Sequence, residues 1–156
     1  MIFATVGSTR IRFDRFTRAL AALPAERLFV QHGPMAAPPG AAQAVAYMQF
    51  PEIVEGMERA ETVVCHAGAG SILCALRAGH VPVVVPRLKR FQETVDDHQV
   101  EFSRALAAQG KVIAVEDPAL LAAAVASAPA RRSPREQRDL RPIQVAVREA
   151  LHGAPA

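Results

Sequence analysis

Two stretches gather the residues that could handle an anion or a hydroxyl. One is His66-Ala67-Gly68-Ala69-Gly70-Ser71; the other runs from Pro86 to Gln99 and holds Arg87, Lys89, Arg90, Glu93, Asp96, Asp97, His98 and Gln99. In the first, an apolar run ends in His66, a glycine turn follows, and Ser71 opens a helix. Gly68 and Gly70 let backbone come close to a ligand and allow positive φ. The free N–H groups of the first helical turn, with the helix dipole, favour an anion such as phosphate. Tight strand-to-helix packing without a ligand explains the same glycines. The dinucleotide fingerprint fails, because Leu73 stands where its third glycine belongs, and the P-loop pattern fails for want of a Lys. Ser71 is not a nucleophile of the Gly-x-Ser-x-Gly kind.

His66 closes its strand at the carboxyl end, the edge at which open α/β sheets bind ligands. It reads as a hydrogen-bond donor near the ligand or as a residue that stabilises the turn. Cys65, His66 and His98 lack the His-x-x-x-His or Cys-x-x-Cys spacing of a metal site, so neither metal nor cofactor is expected. The second stretch also follows a strand end. Asp96 or Asp97 serves there as a helix cap. Capping does not require His98 or Gln99, and both offer donors and acceptors suited to sugar hydroxyls. A phosphate loop and a hydroxyl loop at neighbouring strand ends describe a nucleotide-sugar pocket.

These loops need a frame. Ile2–Val6, Leu28–Gln31, Val45–Gln49, Thr62–Cys65, Val81–Val85 and Val112–Val115 read as strands, several of them Val-rich as in strands buried on both faces. Phe13–Leu23, Ile53–Arg59, Ser71–Ala78, Asp97–Gln109 and Leu120–Ala126 read as helices. The alternation predicts an α/β domain over 1–126, with a parallel sheet of about six strands and helices on both faces. Residues 127–156 read as a basic linker and a last helix, Ile143–His152, that docks on its own domain or on a partner. The 156 residues, 51% hydrophobic and 21% charged, suffice for one core. No apolar run is long enough for a membrane span, and the opening Met1–Arg10 reads as a first strand rather than a signal peptide. Two cysteines without framework spacing suit a reducing cytoplasm. The net charge of +3 gathers in Arg10, Arg12, Arg15 and Arg18 and in Arg131, Arg132, Arg135, Arg138 and Arg141. Such clusters suit an acidic partner, an anionic membrane or plain solvation. One Tyr and no Trp leave few stacking platforms, so nucleic acid is not expected as a partner.

His66 to Ser71, then Gly79 and the strand ending in Pro86, then Asp97-His98-Gln99, resembles the C-terminal, donor-binding domain of family 28 glycosyltransferases. The closer likeness is to the small soluble subunit of split enzymes of that family. These include the two-subunit GlcNAc transferase of dolichol-linked glycan assembly and the paired glucuronosyl- or galactosyltransferase subunits of bacterial exopolysaccharide synthesis. The opening Ala4–Leu20 is similar to the start of such subunits, and the match runs from Ile2 to about Leu121.

The resemblance implies a Rossmann-like fold equivalent to the C-terminal half of a GT-B enzyme. It puts Gly7, Ser8 and Thr9 at the interdomain cleft near the diphosphate. Gly68, Ala69, Gly70 and Ser71 would cradle the diphosphate of a UDP-sugar, with His66 beside them, and Asp97, His98 and Gln99 would face the transferred sugar. Uridine would sit between the turn near Phe50 and the helix after Ser71. Cys74 stands where peptidoglycan-type relatives carry a ribose-binding acid, which leaves Glu93 as the ribose candidate or the contact weaker. The implied function is that of a UDP-sugar-binding subunit of an inverting hexosyltransferase, active with its partner in polysaccharide or glycan biosynthesis. The implied partner is a membrane-anchored, acceptor-binding N-terminal half that carries the general base and recruits this chain to the inner membrane face. An undecaprenyl-diphosphate-linked sugar is the implied acceptor, and Arg131–Arg141 with the last helix the expected docking surface. A nucleotide-sugar-binding or regulatory module without catalysis is the alternative, and a freestanding epimerase-like enzyme a third.

Overall fold

The computed structural model describes residues 1–131 and 141–152. Its sheet has six strands: β1 (Ile2–Thr5), β2 (Leu28–Gln31), β3 (Gln43–Val45), β4 (Thr62–His66), β5 (Val83–Val85) and β6 (Ile113–Ala114). All neighbours are parallel, and the order is β3-β2-β1-β4-β5-β6. This is the Rossmann-like α/β arrangement that the alternation of elements predicts. The order reverses direction at β1, which pairs with β2 on one side and β4 on the other. Thr5 therefore lies level with both Gln31 and Cys65, while His66 lies level with Val85. A crevice forms outside the carboxyl ends at such a reversal, and these five residues stand at that edge of the sheet.

Among the described residues, six α-helices surround the sheet: α1 (Asp14–Leu20), α2 (Phe50–Arg59), α3 (Ala69–Arg77), α4 (His98–Ala108), α5 (Leu121–Ser127) and α6 (Arg141–His152). Alternate strand residues face opposite layers, which is why both layers are apolar. Ile2, Ala4, Val6 and Val64 pack with Phe13, Phe16 and Leu20 of the α1 region and with Leu121 of α5. On the other face, Phe3 and Val63 meet Met57 of α2 and Ala75 of α3, while Cys65 and Val84 meet Ile72, Leu76, Phe102 and Leu106. Val147 of α6 is buried in that last group, so α6 lies against α3 and α4 of its own domain.

Three boundaries differ from the sequence reading in ways that matter for the site. The third strand is not Val45–Gln49: it ends at Val45, and α2 begins at Phe50 rather than Ile53. The Gln49 N–H donates to the Glu52 carboxylate at 2.6 Å in a capping box, with Pro51 in the first turn. A cap and a proline start a helix where apolar periodicity alone had suggested more strand. Tyr47 and Met48 are thereby left in a turn above the sheet. Likewise α3 begins at Ala69, two residues before Ser71, with Gly68 as its N-cap.

Candidate active site

The chain that leaves β1 is fixed by a buried amide. Gly7 N–H donates to Thr5 Oγ1 at 3.1 Å, and Thr5 Oγ1–H donates to Gln31 Oε1 at 2.6 Å. Gln31 Nε2 donates in turn to Gly7 O at 3.2 Å and to Ala46 O at 2.8 Å. The amide thus ties the ends of β1 and β2 to the turn that carries Tyr47. Above it lies a cavity of about 290 Å³. Thr5, Gly7, Ser8 and Gln31 line it below, Tyr47, Met48, Phe50 and Ile53 along one wall, and Gly70, Ser71 and Cys74 of α3 along the other. Phe50 and Tyr47 stand exposed at its lip, 68% and 49%. Every lining side chain is uncharged. One end of the cavity meets the first turn of α3, where the N–H groups of Ala69, Gly70 and Ser71 precede the first helical bond, Ile72 N–H to Gly68 O at 3.0 Å. The site therefore pairs an anion-attracting helix terminus with an apolar chamber.

His66 locks the glycine turn. A Cβ on Gly68 would stand 2.2 Å from His66 Nε2, and one on Gly7 2.5 Å from His66 Cε1. The imidazole is thus clasped between the loops after β1 and β4. The sequence reading gave Gly68 and Gly70 to positive φ, and the structure corrects this. Gly68 has φ −81°, Gly70 lies inside α3 facing open space, and the left-handed residue is Gly7 at φ 87°. Burial, then the nearby Arg87 charge, push the His66 imidazole down to about 4, while a bond to the Thr5 backbone opposes the shift. It is neutral at physiological pH, and its buried Nδ1 has no hydrogen-bond partner among the described residues. Such a group holds shape and adds no charge to the turn.

The loop after β5 is organised around Arg87, only 2% exposed. Its Nη1 donates to Ile11 O (3.1 Å), Arg12 O (3.3 Å) and Glu93 O (3.2 Å), and its Nη2 to Val6 O (3.1 Å). The guanidinium also lies over the Phe13 ring, 4.5 Å from its centroid. Burial lowers the Arg87 pKa, Glu93 counters that, and Arg15 adds to it. Glu93 is buried, bonded by Arg15 at 2.9 Å and by Leu88 N–H at 2.9 Å. Arg15 itself bonds Pro86 O and reaches Glu116 O at 3.3 Å. Gln99 Oε1 accepts from Arg87 N–H at 3.0 Å, and Gln99 is buried. His98, the first residue of α4, is exposed and bonds the Asp96 carboxylate through Nδ1. Asp96 also accepts His98 N–H at 3.1 Å, and Asp97 accepts Lys89 N–H at 2.9 Å. Those bonds to His98 hold the Asp96 carboxyl below its usual range.

Residues 1–150 match the glycosyltransferase family 28 C-terminal domain. The chain belongs to that family. A 50-residue stretch is also 48% identical to the UDP-N-acetylglucosamine transferase subunit ALG13 of Yarrowia lipolytica (strain CLIB 122 / E 150). That stretch is 32% of this chain and spans 24% of the yeast protein's length.

Within this family 28 domain, the structure brings Gly7, Ser8, Gly70 and Ser71 to one cavity, with His66, Gly68 and Ala69 directly behind. Thr9 lies off the cavity lining, and its Oγ1 accepts Ile11 N–H at 3.2 Å. Glu93, Asp97, His98 and Gln99 also lie off that lining, with the partners given above. Glu93 and Arg15 instead border a second hollow, which Arg12, Asp14, Arg18, Phe91 and Gln92 also line. Sequence reasoning passed over Thr5, Gln31, Tyr47, Met48 and Ile53. The available signal was a polar residue closing each buried run, Thr5 and Gln31, at the carboxyl edge. Of the basic C-terminal cluster, Arg132, Arg135 and Arg138 lie outside the described residues. Arg131 Nε donates to Ala78 O at 2.7 Å, at the carboxyl end of α3, and its Nη1 to Glu58 O near that of α2. A cation at two helix carboxyl ends is favourable on dipole grounds.

Proposed function

We propose that this chain is the donor-binding half of an inverting glycosyltransferase that takes a UDP-sugar. The observation that carries this is the cavity whose anion-attracting end and apolar end lie in line, in a chain of glycosyltransferase family 28. A nucleoside diphosphate has the same polarity: phosphates at one end, a flat base at the other. The relative named as a UDP-N-acetylglucosamine transferase subunit favours a uridine donor and a split enzyme. In the reaction, an acceptor hydroxyl attacks the anomeric carbon as the nucleoside diphosphate leaves. The N–H groups of Ala69, Gly70 and Ser71 and the α3 dipole stabilise the charge that develops on the leaving phosphate. The attacking hydroxyl needs a general base. The cavity lining offers no carboxylate for that task, so the base belongs to a partner half, membrane-anchored and holding a lipid-linked sugar acceptor. His98, exposed at the start of α4 next along the sheet edge, is the proposed contact of the transferred sugar, and Gln99 behind it holds the loop after β5.

The test is co-expression with a membrane-anchored N-terminal-half subunit and assay of a UDP-sugar panel on a lipid-linked acceptor. Transfer that needs both chains is the expected result. A tight complex with UDP binding but no transfer from any donor would move the chain to the alternative, a nucleotide-sugar-binding module without catalysis.

A further inference from the structure

We infer that the nucleoside end of the cavity does not select for a ribose 2′-hydroxyl, so that 2′-deoxynucleotides, thymidine diphosphate included, bind on a par with UDP. The inference rests on the donor-binding reading and refines its substrate class. Gly70, Ser71 and Cys74 share one face of α3 along the cavity. At 1.5 Å of rise per residue, Cys74 stands about 6 Å further along the helix axis than Gly70. A diphosphate held at the first turn is followed, in any nucleoside diphosphate, by the pentose. The pentose therefore comes level with Cys74, and the base beyond it meets Tyr47, Met48, Phe50 and Ile53.

At the pentose the protein offers little that a vicinal diol would reward. Burial raises the Cys74 thiol pKa, with Arg77 opposing, so the group stays a neutral thiol. A thiol is a weak donor and a weak acceptor, whereas a carboxylate accepts strong, charge-assisted bonds from two hydroxyls. Gln31 is the one amide on the lining, and both its ends are spent on Thr5, Gly7 and Ala46. Ser8 and Tyr47 are exposed and keep water as a partner when no ligand hydroxyl comes. Strong rejection of an analogue that lacks a hydroxyl arises when a buried polar group is left unpaired. Here a 2′-deoxy sugar leaves none. The methyl of thymine adds apolar area beside Met48 and Ile53, which favours rather than obstructs it.

The experiment titrates the full-length chain with UDP, 2′-dUDP and TDP by calorimetry, then repeats the series with Cys74→Glu and Cys74→Gln. Dissociation constants for the three ligands are expected within about threefold of one another. Cys74→Glu should raise the preference for UDP over 2′-dUDP to about tenfold, with Cys74→Gln between the two. A preference for UDP of about tenfold or more in the unaltered chain overturns the inference and leaves the donor reading intact. An unchanged ratio in both folded variants overturns the placing of the pentose at Cys74. Absence of binding by all three ligands overturns the donor reading itself, and this inference with it.

Discussion

The turn after β4 carries almost no charge and holds its N–H groups open to a cavity. The loop after β5 is dense with charge and turns much of it inward. Both loops leave neighbouring strands at the same sheet edge, and His66 lies level with Val85. In sequence they look like two walls of one pocket, the second the richer in chemistry. In the fold, Arg87 and Glu93 are partners of the protein's own backbone and of Arg15. The contrast teaches that a polar side chain at a strand end has two markets, ligand and loop, and that burial decides between them. Four carbonyls around a buried guanidinium brace the β1 and β5 loops against each other. The open turn needs no such groups, because its binding capacity is main chain.

The widest way to break the comparison is to remove the brace. Arg87→Ala leaves the carbonyls of Val6, Ile11, Arg12 and Glu93 without their shared donor and unbalances Glu93. A loss of about 3–5 kcal/mol in urea unfolding is expected, and Arg87→Lys should recover only part, since an ammonium lacks the planar fork. A loss under about 0.5 kcal/mol would mean that the loop holds itself.

Gly68→Ala attacks the open turn. Its methyl would fall on His66, so about 1–3 kcal/mol of stability and most UDP affinity should go. Adding His66→Ala opens the space, and the pair should cost less than the sum of the single changes. Strict additivity in unfolding free energy would show that the clasp is not a unit.

Acid sharpens the same comparison. His66 has a folded pKa of about 4, and His80, buried and bonded through Nε2 to Met57 O at 2.8 Å, is also lowered, chiefly by burial. Lowered imidazoles favour the neutral form, so the unfolded chain takes up protons first. Stability from these groups is complete above about pH 6.5 and falls as pH drops below that, for His66 down to about 4, by up to about 1.4 kcal/mol per pH unit. The lowered carboxyls Asp14, Glu61, Asp96 and Glu116 act only below their unfolded values of 3.8 to 4.5. A flat stability profile from pH 7 to 5 would refute the histidine assignment, and His66→Asn should flatten part of it.

The finest cut separates adjacent residues. Gln99→Ala leaves the buried Arg87 N–H unpaired and should cost about 1 kcal/mol in stability. His98→Ala, on the exposed first turn of α4, should stay within about 0.5 kcal/mol and show itself only in sugar-dependent binding. Equal effects of the two on folding would erase the distinction between inward and outward polar groups.

The sheet and most helices were legible because buried parallel strands are Val-rich and uniform, and helices repeat at 3.6 residues. The capping box of Gln49 and Glu52 was not legible, because Gln is not among the usual N-cap residues and the stretch Val45 to Met48 suggests more strand. The reach of the cavity was not legible, since Tyr47, Met48 and Cys74 come together only when β3, β1 and α3 are assembled. Nor was the purpose of Gly68, because its reason is the imidazole lying over it rather than any torsion. Arg87 read as a ligand-loop charge because nothing local reveals that four carbonyls surround it.

The strand order also has a consequence for how the protein is made. Every residue that lines the cavity lies between Thr5 and Cys74, within the half of the sheet ordered β3-β2-β1-β4. In a chain growing from its N-terminus, all the cavity-lining residues are synthesised before β5 exists. Until Val83–Val85 arrives to pair with Val64–His66, the newest strand of that half is a bare, apolar edge. Such edges invite pairing with other chains, so the interval between His66 and Val85 is one in which a nascent copy is open to aggregation.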